Sequence, residues 1–154
     1  MNTTPAVITS AILRFCRGVS PTYQPTFHEV EVHPDSAPLE YLDNCVKEIE
    51  RNGGEIVYGW TVWSLPKNLI TLVHHAVVCR DGRVIDTTPT RTRETRVLFL
   101  QDDKARPTGD VIPSHFFQIG DDPETLHLVE DMREIYDLHE DADAEREVRV
   151  LALV

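Results

Sequence analysis

The sequence has no apolar run that approaches the roughly 18 residues needed to cross a bilayer, so we predict no membrane-spanning helix. No basic residue precedes the apolar stretch near the N-terminus, and we therefore expect no signal peptide. Cysteine is scarce: Cys16, Cys45 and Cys79 form no CxxC pair, which argues against a disulfide framework and against structural zinc. These absences together predict a cytoplasmic protein with reduced thiols.

Positive charge is also scarce, because 15 Lys and Arg residues face 26 Asp and Glu residues and give a formal net charge of −11. Binding to a phosphate backbone needs a basic face that releases counterions, so we do not expect nucleic acid as a partner. An acidic surface does suit a basic protein partner, and a non-enzymatic interaction or inhibitor module is one alternative. Arg91, Arg93 and Arg96 alternate with other polar residues and could bind a carboxylate or phosphate, or lie in a solvated loop.

The 154 residues suit a single domain over 1–154, and 41% of them are hydrophobic. Apolar spacing predicts a helix that begins near Pro38 and ends at Asn52-Gly53-Gly54, and a second helix over 123–140. Residues 7–16 fit either a helix or a strand. The predicted fold is α+β, with an antiparallel sheet of five to seven strands packed by one central helix and a second, C-terminal helix. The predicted strands are 26–32, 56–65, 69–79, 83–87, 96–100, 115–119 and 148–154.

The turn at Asp81-Gly82 fixes the pairing of two of these strands. A two-residue hairpin there places Val78 opposite Ile85. Because side chains alternate between the faces of a strand, His75 and Asp86 then lie on the same face as diagonal neighbours, about 7 Å apart along the backbone. A carboxylate that holds an imidazole fixes its tautomer and raises its basicity, which is the arrangement of a general base.

A cysteine on the preceding helix, Cys45, would complete a triad, because a neighbouring imidazolium favours the thiolate. The order Cys45, His75, Asp86 and the segment HHAVVCRDGRVIDTTP resemble the papain-like/transglutaminase-like cysteine enzyme superfamily. The resemblance implies acyl transfer through a thioester, with a protein or peptide amide as substrate. Hydrolysis, deamidation and a transglutaminase-like transfer all remain open. The pattern GGE…GWxxW…HHAV…IDxTP is also similar to an uncharacterised microbial family and implies no activity.

Three more residues are candidates for substrate binding. Trp60 and Trp63 could line a groove, and Asn44 could donate a hydrogen bond to an oxyanion beside Cys45. The tryptophans equally suit the core, and Cys45 equally suits a buried structural thiol, because it borders the apolar stripe of its helix.

Metal chemistry is the third alternative. His75, Cys79 and Asp86 share one strand face with His74 beside them, which would suit a His-based metal hydrolase. There is no HExxH motif, and both HxD triplets fall elsewhere in the sequence. We therefore expect neither a metal nor an organic cofactor.

Overall fold

The structure, a computed structural model, describes residues 2–120 together with residues 127 and 131. It contains two α-helices, six strands and one short 3₁₀ helix in this part of the chain. The predicted helix over 123–140, apart from residues 127 and 131, and the predicted strand over 148–154 lie outside the described residues. The elements are α1 (Ser10–Val19), β1 (Thr26–Val30), α2 (Tyr41–Asn52), β2 (Glu55–Leu65), β3 (Leu69–Arg80), β4 (Arg83–Asp86), β5 (Arg96–Gln101), the 3₁₀ helix (Asp103–Ala105) and β6 (His115–Gln118).

The first helix resolves the ambiguity at residues 7–16. The Thr9 hydroxyl accepts a hydrogen bond from the backbone N–H of Ile12 at 3.2 Å, and this side-chain cap begins α1. The helix buries only one face, which includes Ile12 and Cys16. Across residues 2–120, 127 and 131, no helix combines the length and the apolar character needed to cross a membrane.

The second helix begins later than predicted. Leu39 has a φ of 70°, a left-handed conformation that cannot continue into an α-helix, so α2 starts at Tyr41 and not at Pro38. Its end is as predicted: Gly53 takes a φ of 75° and its N–H donates to the Ile49 carbonyl at 2.8 Å.

The hairpin between β3 and β4 has the predicted register. Asp81 and Gly82 have φ values of 52° and 75°, as a two-residue type I′ turn requires, and Val78 pairs with Ile85. This turn places the side chain of Asp86 on the same face as that of His75.

The sheet differs from the prediction in two respects. It is mixed and not antiparallel, because β1 pairs with β4 in parallel orientation. It also closes on itself: the strand order β2-β5-β1-β4-β3 returns to β2 through an eleven-residue β2–β3 ladder, from the Glu55–Cys79 pair to the Leu65–Leu69 pair. Both features depend on pairing between strands that are distant in sequence, which local patterns do not specify.

The two faces of this five-stranded barrel have different neighbours. A barrel of this size is filled by side chains and cannot contain a helix, so both helices pack on its outside. The outer face of β3 includes Leu72 against α1 and Ala76 against α2. The inner face holds the buried side chains of Val77 and Phe99. Because residues alternate along a strand, His75 belongs to the inner face.

One edge of β3 is only partly covered. The strand pairs with β2 along one edge, while β6 covers residues 69–72 and β4 covers residues 78–80 of the other edge. Residues 73–77 have no strand partner there among the described ladders. This gap gives access to the inner face next to His75.

Candidate functional site

A hydrogen-bonded histidine and aspartate form the centre of the candidate site. His75 Nε2 donates to Asp86 Oδ2 at 2.7 Å, and the side chains are 12% and 2% exposed. Asp86 Oδ1 accepts from the backbone N–H of Thr88 at 2.9 Å, which fixes the carboxylate. His75 Nδ1 has no hydrogen bond to any residue that the structure describes. In the neutral tautomer with the proton on Nε2, Nδ1 carries a free lone pair and can accept a proton.

His75 lines a cavity of about 470 Å³. This volume suits a small ligand or one side chain of a larger substrate. Its walls are mostly apolar and come from the segment before α2, from β2, from β3 and from the loop after β4. The apolar lining includes Pro38, Leu39, Tyr41, Trp63, Val73 and Pro89.

Thr61 lines the same cavity, and its hydroxyl oxygen is buried in the cavity wall. It lies opposite Val73 in the β2–β3 ladder and is therefore the diagonal neighbour of His75 on the inner face. Its side chain is 3% exposed, and its hydroxyl has no hydrogen-bond partner among the described residues. Thr61 was not among the predicted site residues, although it lies two positions from Trp63 and the two residues therefore share one strand face.

Tyr41 and His74 form a second polar pair at the edge of the cavity. His74 Nε2 donates to the Ala105 carbonyl at 2.7 Å, so its Nδ1 accepts from the Tyr41 hydroxyl at 2.8 Å. Burial lowers the pKa of His74, partly offset by the bond to Ala105, and favours the neutral ring that this pattern requires. The Tyr41 ring also lies 5.2 Å from that of His75, centroid to centroid. His74 thus holds Tyr41 beside the base.

The structure places Cys45 on the other side of the barrel wall. The residue is 0% exposed and packs on the outer face against Ala76, Val78 and Ile85. Burial, together with the nearby Asp86 carboxylate, raises the pKa of its thiol to about 12. No described hydrogen bond joins it to His75. The structure therefore brings His75 and Asp86 into contact, whereas Cys45 lies near Asp86 on the outer face and has no described hydrogen bond to either residue.

The two tryptophans predicted for the substrate site face different ways. Trp63 lines the cavity. Trp60 lies on the outer face, where its indole N–H donates to Asp102 Oδ2 at 2.9 Å, so it does not contribute to this cavity. Positions three apart in a strand point to opposite faces, and this rule alone separates the two residues.

Asn44 also has a structural contact in place of the predicted one. Its Oδ1 accepts from the backbone N–H of Ala37 at 3.0 Å, and its Nδ2 donates to the Ala37 carbonyl at 2.8 Å and to the Thr88 hydroxyl at 3.2 Å. Both amide protons are used, so no donor remains for an oxyanion. Asn44 instead ties the segment before α2 to the loop after β4, which are two walls of the cavity.

Possible metal ligands are dispersed. Across residues 2–120 and at 127 and 131, no group of three His, Cys, Asp or Glu side chains is placed to hold a metal ion. Cys79, which the sequence predicts on the same strand face as His75, lies four residues further along β3, opposite Val84 near the turn end of the hairpin.

The three arginines between β4 and β5 have separate environments. Arg91 lines the mouth of the cavity. Arg93 is exposed at the adjacent turn and does not line it. The Arg96 guanidinium lies 4.1 Å from the centroid of the Phe27 ring and donates to the Ala6 carbonyl, which are contacts of the fold.

The site therefore consists of an oriented imidazole with one free nitrogen, an unpaired threonine hydroxyl beside it and an apolar cavity with one arginine at its mouth. Such a set can remove a proton from a small ligand and bind the product of that step. Comparisons of the chain with protein-family models, with curated proteins and with solved structures found no match.

Proposed function

We propose that the protein is an enzyme that hydrolyses or transfers an acyl group, with His75 as general base and Asp86 as the residue that orients it. The 2.7 Å bond between His75 Nε2 and Asp86 Oδ2, made by a histidine that lines the cavity, is the observation that supports the proposal. A general base that is held by a buried carboxylate has a fixed tautomer and a fixed orientation toward the proton that it accepts.

In this proposal a water molecule is the nucleophile. His75 Nδ1 takes a proton from the water as its oxygen attacks the acyl carbon, and the imidazolium that forms is stabilised by Asp86. The Thr61 hydroxyl, turned toward the cavity by rotation about χ1, donates a hydrogen bond to the oxyanion. The imidazolium then returns its proton to the leaving group as the bond between the acyl carbon and that group breaks. Atoms and charge balance without a cofactor.

The alternative nucleophile is Cys45, as in the triad that the sequence predicts. This form of the proposal requires the thiol to cross from the outer face to His75 and to lose its proton despite a raised pKa. The water form requires neither change, and the position of Cys45 therefore favours it.

The test is the hydrolysis of 4-nitrophenyl butyrate and the release of ammonia from a glutamine-containing peptide. The proteins compared are the native chain and four variants: His75→Asn, Asp86→Asn, Cys45→Ala and His33→Asn. We expect His75→Asn to lower kcat/KM by about 100-fold or more on the substrate that is turned over, as loss of a general base does. Asp86→Asn should also lower kcat/KM strongly. The His33→Asn control changes an exposed histidine and should have no effect.

Cys45→Ala separates the two forms of the proposal. Turnover within about twofold of the native protein supports water as the nucleophile, whereas a loss as large as that of His75→Asn supports the thiol. If the native protein turns over neither substrate faster than His75→Asn does, the proposed function is wrong. Circular dichroism of each variant checks that the fold is retained.

A further inference from the structure

We infer that the cavity binds an organic anion: a ligand with an apolar body and a carboxylate, with Arg91 as the residue that binds the carboxylate. This inference rests on the proposed function, because it names the class of substrate that the same site accepts.

Arg91 is an exposed cation at the mouth of the cavity, and neither a hydrogen bond nor an ion pair joins it to another residue in the part of the chain that the structure describes. Other arginines are paired: Arg51 contacts Asp35 at 2.8 Å, and Arg80 contacts Glu48 at 2.9 Å. Acidic side chains are abundant in a chain of net charge −11. An arginine that none of the described carboxylates engages is available for a carboxylate of a ligand, which its planar guanidinium can bind through two hydrogen bonds.

The inner end of the cavity carries a second, independent indication. The Thr61 hydroxyl is buried and unpartnered, and a hydroxyl in this position is destabilising unless something pairs with it. Thr61 lines the same cavity as His75. Rotation of the Thr61 side chain about χ1 would turn this hydroxyl toward the cavity, where a carbonyl oxygen of a bound ligand would pair with it and would place the acyl carbon beside the base.

The walls between these two ends determine the body of the ligand. Trp63, Tyr41, Leu39 and Val73 present apolar surface that favours an aromatic or aliphatic group. Asp86 contributes a negative charge there, but its two oxygens already accept hydrogen bonds from His75 and from the backbone of Thr88. An uncharged body that leads from a carbonyl at Thr61 to a carboxylate at Arg91 therefore matches the cavity.

A pair of isosteric probes tests the charge requirement without turnover. Isothermal titration calorimetry compares 2-naphthoate, which carries the carboxylate, with 2-naphthamide, which is neutral. The proteins are the native chain, Arg91→Gln and, as a matched control, Arg93→Gln. We expect the native protein and Arg93→Gln to bind naphthoate about tenfold more tightly than naphthamide, as one charge-assisted hydrogen bond provides. Arg91→Gln should bind both probes with the weaker affinity.

The inference is overturned if neither probe binds the native protein, if naphthoate has no advantage over naphthamide, or if Arg93→Gln and Arg91→Gln lose affinity equally. A control for the proposed function uses His75→Asn, which should retain the naphthoate preference. If the preference is present but no His75-dependent turnover of any substrate is found, the ligand class stands and the proposed function fails. If turnover of neutral esters depends on His75 but naphthoate binds no more tightly than naphthamide, the proposed function stands and the inferred ligand class fails.

Discussion

At the scale of the residue, adjacent side chains of β3 have separate roles because a strand alternates its faces. His75 faces inward and bonds to Asp86, whereas His74 bonds to the Ala105 carbonyl and to Tyr41 at the edge of the cavity. The first ring keeps one nitrogen free, and the second has both nitrogens in use. Only His75 can therefore act as a base at this site in the described structure.

Cys45 of α2 packs on the outer face of the barrel, and this position leads to a prediction about the reactivity of its thiol. We expect iodoacetamide to alkylate Cys45 only after the protein unfolds, because the thiol is buried and its pKa is raised to about 12. Cys79 is partly exposed and should react in the native protein, which makes it an internal control. Mass spectrometry of the alkylated peptides over a range of pH measures both rates.

The opposite outcome is equally clear. Fast alkylation of Cys45 below neutral pH that is lost in His75→Ala would establish a thiolate–imidazole pair. Cys45 would then be the nucleophile that the sequence predicts. Its side chain would have two positions, one buried and one in reach of His75.

At the scale of the element, the sequence predicts what local chemistry determines. The hairpin register follows from Asp81-Gly82, and with it the contact between His75 and Asp86. The parallel pairing of β1 with β4 joins residues more than 50 positions apart, and no local pattern specifies it. The face on which Cys45 lies depends on the closure of the barrel, since only closure defines an outer surface for α2. This is why His75 and Asp86 form a hydrogen bond on the inner face while Cys45 packs on the outer face.

The closure itself leads to a prediction at Gly59 in β2. This residue pairs with His75 on one side and with Gln101 of β5 on the other. A Cβ added to Gly59 would lie 2.0 Å from the Leu100 carbonyl oxygen, and backbone must move to accommodate it. We expect Gly59→Ala to lower the free energy of unfolding by about 3 kcal/mol, a large effect for one methyl group.

Gly18 in α1 is the matched control, because a Cβ there meets nothing within 4 Å. Gly18→Ala should leave stability unchanged or raise it by up to about 1 kcal/mol, since alanine favours the helix. Urea unfolding followed by tryptophan fluorescence measures both variants. A Gly59→Ala protein as stable as the native chain would show that β2 and β5 do not approach as closely as described.

At the level of the whole molecule, the carboxylates and the histidines change their charge in different pH ranges and therefore affect stability in different pH ranges. The carboxylates remain ionised above about pH 5, so the acidic excess changes little between there and neutral pH. His74 is buried, whereas His28 and His115 are half-buried, and loss of hydration is the main cause that lowers the pKa of each. Asp86 opposes the shift at His28, and Asp102 opposes it at the other two. Within this range the histidines therefore control the response to acid.

The direction of that response follows from proton linkage. A histidine whose pKa is lower in the folded chain binds fewer protons there than in the unfolded chain, so the free energy of unfolding falls as pH falls below about 6.5. Each such histidine contributes at most about 1.4 kcal/mol per pH unit to the slope of the free energy of unfolding against pH. Urea unfolding of the native chain and of His74→Gln between about pH 8 and pH 5 measures these slopes. His74→Gln should reduce the slope, because glutamine removes one group that the unfolded chain protonates. The native slope in His74→Gln would mean that His74 binds as many protons in the folded chain as in the unfolded chain. The Tyr41–His74–Ala105 arrangement beside the cavity would then be wrong.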